Sequence, residues 1–126
     1  MISVKNVSKT YNNKKVLDKI DLEIKQGEII SIVGPSGAGK TTLLNIISTL
    51  DKPDVNTLSE VMIDNIDVTN LNDSKLSKFR NTQIGFIFQF HELLPEFSAI
   101  ENVIIPAIIK GENKESSIKK AMEILD

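Results

Sequence analysis

Residues 34–41 read Gly-Pro-Ser-Gly-Ala-Gly-Lys-Thr, and this string restricts the fold more than any other, because it needs a strand to end before it and a helix to begin within it. The pattern G-x-x-x-x-G-K-[ST] is that of a phosphate-binding loop when it has that context. Both flanks are predicted here. Ile29, Ile30, Ile32 and Val33 form a nearly continuous β-branched run, as expected of a strand covered on both faces in a parallel sheet. Leu43, Ile46, Ile47 and Leu50 then recur at i, i+3, i+4 and i+7, the apolar stripe of a helix packed on that sheet.

Each residue type in the loop has a physical reason. Gly34, Gly37 and Gly39 permit positive φ and carry no Cβ, so consecutive N–H groups can turn inward around an anion. The first turn of the helix adds unpaired N–H donors and a dipole that favours an anion by roughly 0.3–2 kcal/mol. Lys40 can place a mobile point charge on β- and γ-phosphates, and the Thr41 hydroxyl can ligate Mg²⁺.

Elsewhere the hydrophobic period changes along the chain. Ile20, Leu22 and Ile24 alternate with Asp21, Glu23 and Lys25, which predicts an antiparallel strand with one wet face. Ile2 and Val4 begin a similar pattern, and the polar residues 11–15 separate the two as a turn. The connection 51–72 is rich in Asp and Asn, with a short strand candidate at 61–63. Residues 83–89, Gln-Ile-Gly-Phe-Ile-Phe-Gln, predict another buried strand. Ser98 and Glu101 form a capping box that opens a helix, Pro106 should kink it by removing the bond to the Asn102 carbonyl, and Gly111 should end it. Ile118, Ala121, Met122 and Leu125 predict a last helix after the polar residues 112–117, which breaks off at Asp126 in mid-pattern.

Composition narrows the functional classes. Hydrophobic residues at 40% and charged residues at 25% are ordinary for a folded globular chain. The longest apolar run, residues 103–109, is far short of the roughly 20 residues needed to cross a bilayer, so no membrane insertion is expected. Zero cysteines and no basic-then-apolar leader fit the cytosol and exclude thiol chemistry. Fifteen Lys+Arg against seventeen Asp+Glu, with Arg80 the sole arginine, offer no clustered footprint for nucleic acid. A phosphate loop alone does not choose between ATP and GTP, or between hydrolysis and transfer to an acceptor. The D-x-x-G and N-K-x-D strings of a GTPase do not occur. The alternating strands before the loop give a weak argument against a nucleoside kinase.

The segments VSKTYNNKKVLDKIDLEIKQGE and IISIVGPSGAGKTTLLNIISTLDKPD resemble the ATP-binding subunits of ABC transporters, and the resemblance runs over residues 1–126. It implies an α/β fold: a P-loop NTPase core with an N-terminal antiparallel β subdomain and the start of a helical subdomain, a truncated ABC nucleotide-binding domain. It implies ATP and Mg²⁺ as cofactors, with Tyr11 stacked on adenine, a contact of about 1–3 kcal/mol in nucleic-acid complexes. Gly34, Ser36, Gly37, Ala38, Gly39, Lys40 and Thr41 would surround the phosphates and Thr42 the α-phosphate region. Gln89, closing IGFIFQ, matches the Q-loop glutamine that reaches Mg²⁺ and the attacking water and links the nucleotide to a permease. Lys40 and Gln89 are then the catalytic candidates, and Thr41 and Gln89 the metal candidates. FQFHELLPEFSAIENV is most similar to the lipoprotein-releasing members of a group that also holds macrolide exporters and a cell-division transporter, which implies release of lipoproteins from the inner membrane by a cytoplasmic subunit peripheral on its cytoplasmic face, with His91 at the surface that couples to the permease.

The resemblance also implies a homodimer of the intact protein, while the family's signature sequence, Asp-Glu strand and switch histidine are absent from these 126 residues. The chain is therefore read as an N-terminal part that binds ATP without hydrolysing it alone. Asp64 is not expected to be a metal ligand, because Asn65 follows it in a hairpin. At 54–56 the family's usual Ser-Gly turn is missing, Asn56 can adopt the left-handed conformation at some cost, and the connection is longer than the family's usual one. A non-catalytic nucleotide-binding or interaction module and a different P-loop enzyme such as a kinase are the alternatives.

Overall fold

Alternation of apolar and polar residues builds the first half of the molecule. In the computed structural model, which describes residues 1–55, 58–90 and 92–126, the chain divides into two units, Met1–Leu76 and Ser77–Asp126. The expectations for Asn56 and His91 lie outside the described residues.

In the first unit, β1 (Ile2–Tyr11) and β2 (Lys14–Ile24) form an antiparallel hairpin. Asn12 and Asn13 turn it with φ of 48° and 63°, the left-handed pair of a tight hairpin turn that Asn tolerates. β3 (Glu60–Ile63) pairs antiparallel with the start of β1, Ile2 opposite Ile63 and Lys5 opposite Glu60, and β4 (Ile66–Asp67) follows across the Asp64–Asn65 turn. The sheet order is β2-β1-β3-β4. The Asp64 carboxylate accepts a hydrogen bond from the N-terminal amine at 2.5 Å.

Helix α1 (Lys40–Ile47) presents Leu43, Ile46 and Ile47 to the core that Val4, Val7, Leu17 and Val61 share from the sheet. Complete burial of side chains such as Val4, Val7 and Ile46 contributes about 1.5–3 kcal/mol each. After α1 the Leu50 and Asp51 N–H groups both donate to the Asn45 carbonyl, which reverses the chain. Residues 51–54 then run beside the far end of β1, with the Asp54 N–H on the Ser8 carbonyl at 2.9 Å and the Thr10 N–H on the Asp54 carboxylate at 3.2 Å.

A helix that the sequence reading passed over, α2 (Asp73–Gln83), begins in the first unit and continues into the second. Its signals were present: Asn72 caps it through the Lys75 N–H at 3.0 Å, and Leu76 and Phe79 bury themselves at i, i+3. The second unit is otherwise the helical hairpin of α3 (Ala99–Lys110) and α4 (Lys114–Leu125). The Ser98/Glu101 capping box forms in both directions, and Gly111 ends α3 at φ 89°. Pro106 lies within α3, and its carbonyl accepts from the Asn81 amide at 2.9 Å. Helix α4 starts earlier than its apolar period suggested, because the Asn113 side chain caps it by accepting from the Glu115 and Ser116 N–H groups.

Two expected strands are corrected. Residues 28–33 and 84–88 carry no strand, and Gln83 is the last residue of α2. Ile29 is 100% and Ile87 98% exposed. A strand is defined by its ladder, and among the described residues no strand runs beside either segment, so β-branched and aromatic composition alone does not bury them.

Candidate functional site

The phosphate loop sits between residues 28–33, where Ile29, Ile30 and Val33 are exposed, and α1, and its geometry follows from its glycines. Gly37 and Gly39 have φ of 78° and 88°, in the left-handed region that favours glycine. Gly39 is constrained a second time. A Cβ there would stand 2.9 Å from the Leu17 side chain and 3.0 Å from the Val16 carbonyl oxygen, so the start of β2 presses directly on the loop. The antiparallel sheet thus acts as a buttress for the turn into α1.

Helix α1 begins at Gly39 with no side-chain cap. The first intrahelical bond is that of the Leu43 N–H to the Gly39 carbonyl, 2.9 Å, so the N–H groups of residues 40–42 precede the helical ladder. Uncapped donors at a helix start fit an anion. The Lys40 ammonium folds back across the loop and donates to the carbonyls of Gly34 at 2.9 Å and Pro35 at 2.7 Å. The Ala38 N–H closes a turn on the Pro35 carbonyl. A cleft of about 240 Å³ lies against Val16, Gly37, Ala38, Gly39, Lys40, Thr41 and Thr42. Glycines at positive φ, an uncapped helix start and a lysine within one cleft fit a polyphosphate. Thr41 is exposed on the first turn of α1, where its hydroxyl is available to a cation carried by phosphates.

The structure brings Gly34, Ser36, Gly37, Ala38, Gly39, Lys40, Thr41 and Thr42 into this one loop and helix start. Tyr11 ends β1 in the same unit, 41% exposed, its phenol hydroxyl donating to the Asp51 carboxylate. That bond raises the phenol above its ordinary pKa, burial and the Asp51 charge add to the rise, and the Thr42 hydroxyl opposes it. Burial alone would raise Asp51, but hydrogen bonds from Lys9, Tyr11 and the Lys52 N–H outweigh it and hold the carboxylate below its usual range. Gln89 lies exposed in the second unit, after the stretch 84–88, and is not in the loop's unit.

Three contributors were missed in sequence: Val16, which lines the cleft, and Lys9 and Asp51, which meet Tyr11. Lys9 and Tyr11 share a strand face at i, i+2, which was a readable signal. Asp51 comes from 40 residues away and has none. Among the described residues no group of three or more His, Cys, Asp or Glu side chains could hold a metal ion. No helix among them is long and apolar enough to cross a membrane.

A family model described as ABC transporter matches residues 17–126. The lipoprotein-releasing system ATP-binding protein LolD of Bacteroides thetaiotaomicron is 55% identical over 125 residues, 99% of this chain and 56% of that protein. The uncharacterized ABC transporter ATP-binding protein MJ0796 of Methanocaldococcus jannaschii is 47% identical over 132 residues, 99% of this chain and 55% of that protein. Among solved structures, the dimeric post-hydrolysis state of the ATP-binding cassette MJ0796 bound to ADP and Pi matches with a TM-score of 0.87 at 45% identity, covering 98% of this chain and 55% of that one. The chain spans about half the length of the curated relatives it matches.

Proposed function

The chain belongs to the ABC transporter family, and from that premise we propose that residues 34–42 bind the phosphates of MgATP for a transport ATPase. The observation that carries this reading is the uncapped start of α1 at a left-handed Gly39, with the Lys40 ammonium already turned into the loop. On binding, Lys40 exchanges its two loop carbonyls for β- and γ-phosphate oxygens, a charge-assisted pairing in place of a neutral one. The N–H groups at the start of α1 and the glycine turn face the same oxygens. The Thr41 hydroxyl would hold the Mg²⁺, which would supply neutralisation of phosphate charge. Thr42 lies toward the α-phosphate, and Tyr11 offers its ring to the base.

In the intact protein Gln89 would help hold the Mg²⁺ and orient the attacking water, and would couple the nucleotide to a membrane permease. The protein works as a homodimer, peripheral on the cytoplasmic face of the inner membrane. The dimeric cassette of MJ0796 and the relatives named as lipoprotein-releasing ATP-binding proteins support a dimeric transport ATPase whose cargo is lipoprotein. Titration calorimetry with MgATP tests the site. Lys40→Ala should lose at least about tenfold in affinity, some 1.4 kcal/mol, with unchanged circular dichroism. Equal affinity of the two proteins would remove Lys40 from the site.

A further inference from the structure

Tyr11 is the only tyrosine in a chain without tryptophan, and its ring is held from two directions. Its hydroxyl is tied to Asp51. Lys9, two residues earlier on the same strand, places its ammonium 5.1 Å from the ring centroid, within cation–π distance. The same ammonium donates to the Asp51 carboxylate at 2.7 Å and to the Lys52 carbonyl at 2.6 Å. Two of the three donors of the lysine are therefore directed to fixed oxygens. The pair is largely shielded, with side-chain exposures of 14% for Lys9 and 28% for Asp51. Asp51 is itself fixed by the chain reversal on the Asn45 carbonyl.

We propose that Asp51 and Lys9 are positioning residues that hold the Tyr11 ring as a one-sided platform for the nucleobase, with Lys9 on one face and the base on the other. Neither residue touches the nucleotide. The phenol tie removes rotation of the ring about the end of β1, and the ammonium occupies the face that would otherwise compete for the base. The ring is thus ordered before the nucleotide arrives, so binding does not have to order it. This rests on the reading that Tyr11 meets the base. It extends the nucleotide site from the loop to the far end of α1.

Affinities for MgATP and for inorganic tripolyphosphate, compared in the same variants, separate platform from phosphate loop. Asp51→Asn and Lys9→Met should each weaken MgATP by about 2- to 12-fold, the factor associated with ordering one side chain, and leave tripolyphosphate unchanged. Titration of the single phenol by its absorbance supplies a direct signature: Asp51→Asn should lower its midpoint toward that of an ordinary tyrosine, because the bond that raises it weakens. If both variants bind MgATP like the wild type while Tyr11→Ala binds it more weakly, the positioning role is overturned and the base contact stands. If Tyr11→Ala also binds MgATP like the wild type, the base contact fails and the proposal with it. A parallel loss of tripolyphosphate in Asp51→Asn and Lys9→Met would assign the effect to the loop and overturn the proposal.

Discussion

Val4 and Val7 in β1 are at most 1% exposed, whereas Ile29 and Val33, of the same β-branched kind, are 100% and 84% exposed. The two stretches differ in neighbours. β1 is hydrogen-bonded to β2 along its length and to β3 at its start, while residues 28–33 have no strand beside them among those described. Intrinsic strand preference spans only about 1 kcal/mol, so partners and burial decide what an apolar string becomes. The phosphate loop hangs between these two regimes. Before it Ile29, Ile30 and Val33 are exposed, and its following helix is packed, with Ile46 2% exposed and the start of β2 pressed on Gly39. Among the described residues the loop is anchored from the helix and the sheet.

Substitutions on the two sides should break this asymmetry if it is wrong. The largest effect is expected for Ile46→Ala, about 2–5 kcal/mol of stability by denaturant unfolding, because a buried side chain is lost and a cavity left. A cost below about 1 kcal/mol would mean that α1 does not anchor the loop. Gly39→Ala should cost about 1–2 kcal/mol for left-handed backbone alone, with more from the contact with Leu17, and should weaken nucleotide binding. Unaltered unfolding and binding would show that the sheet does not buttress the turn.

A smaller effect is expected from pH. The Asp51 carboxylate titrates below its unfolded value, so its contribution is present above about pH 4 and is lost as pH falls through the lowered folded value. The stability gap between wild type and Asp51→Asn should therefore close in acid. A constant gap in pH-dependent unfolding would assign the stability to packing instead. The smallest effect is expected for Ile29→Ala, within about 0.5 kcal/mol of wild type. A loss matching Ile46→Ala would show that residues 28–33 are packed after all.

What was legible in the sequence was local. Alternation at Ile20, Leu22 and Ile24, the Ser98/Glu101 box and the Gly111 stop each depend on residues a few positions apart, and each appears where expected. The loop motif was equally readable, since its glycines, lysine and threonine are contiguous. The strands expected at 29–33 and 83–89 failed because burial on two faces is a property of neighbours, which composition does not supply. Helix α2 was readable from Asn72, Leu76 and Phe79, but the polar character of its remainder hid the period. The place of Asp51 beside Lys9 and Tyr11 was illegible because it joins a strand end to the turn after α1.

Amide hydrogen exchange across residues 34–42, with and without MgATP, tests the phosphate loop most directly, because it reads the N–H donors themselves. At a nucleotide concentration ten times the Kd, exchange of the amides of residues 37–42 should slow by about tenfold, and Lys40→Ala should remove that protection. Equal exchange in the presence and absence of MgATP would contradict the assignment of this loop as the nucleotide site.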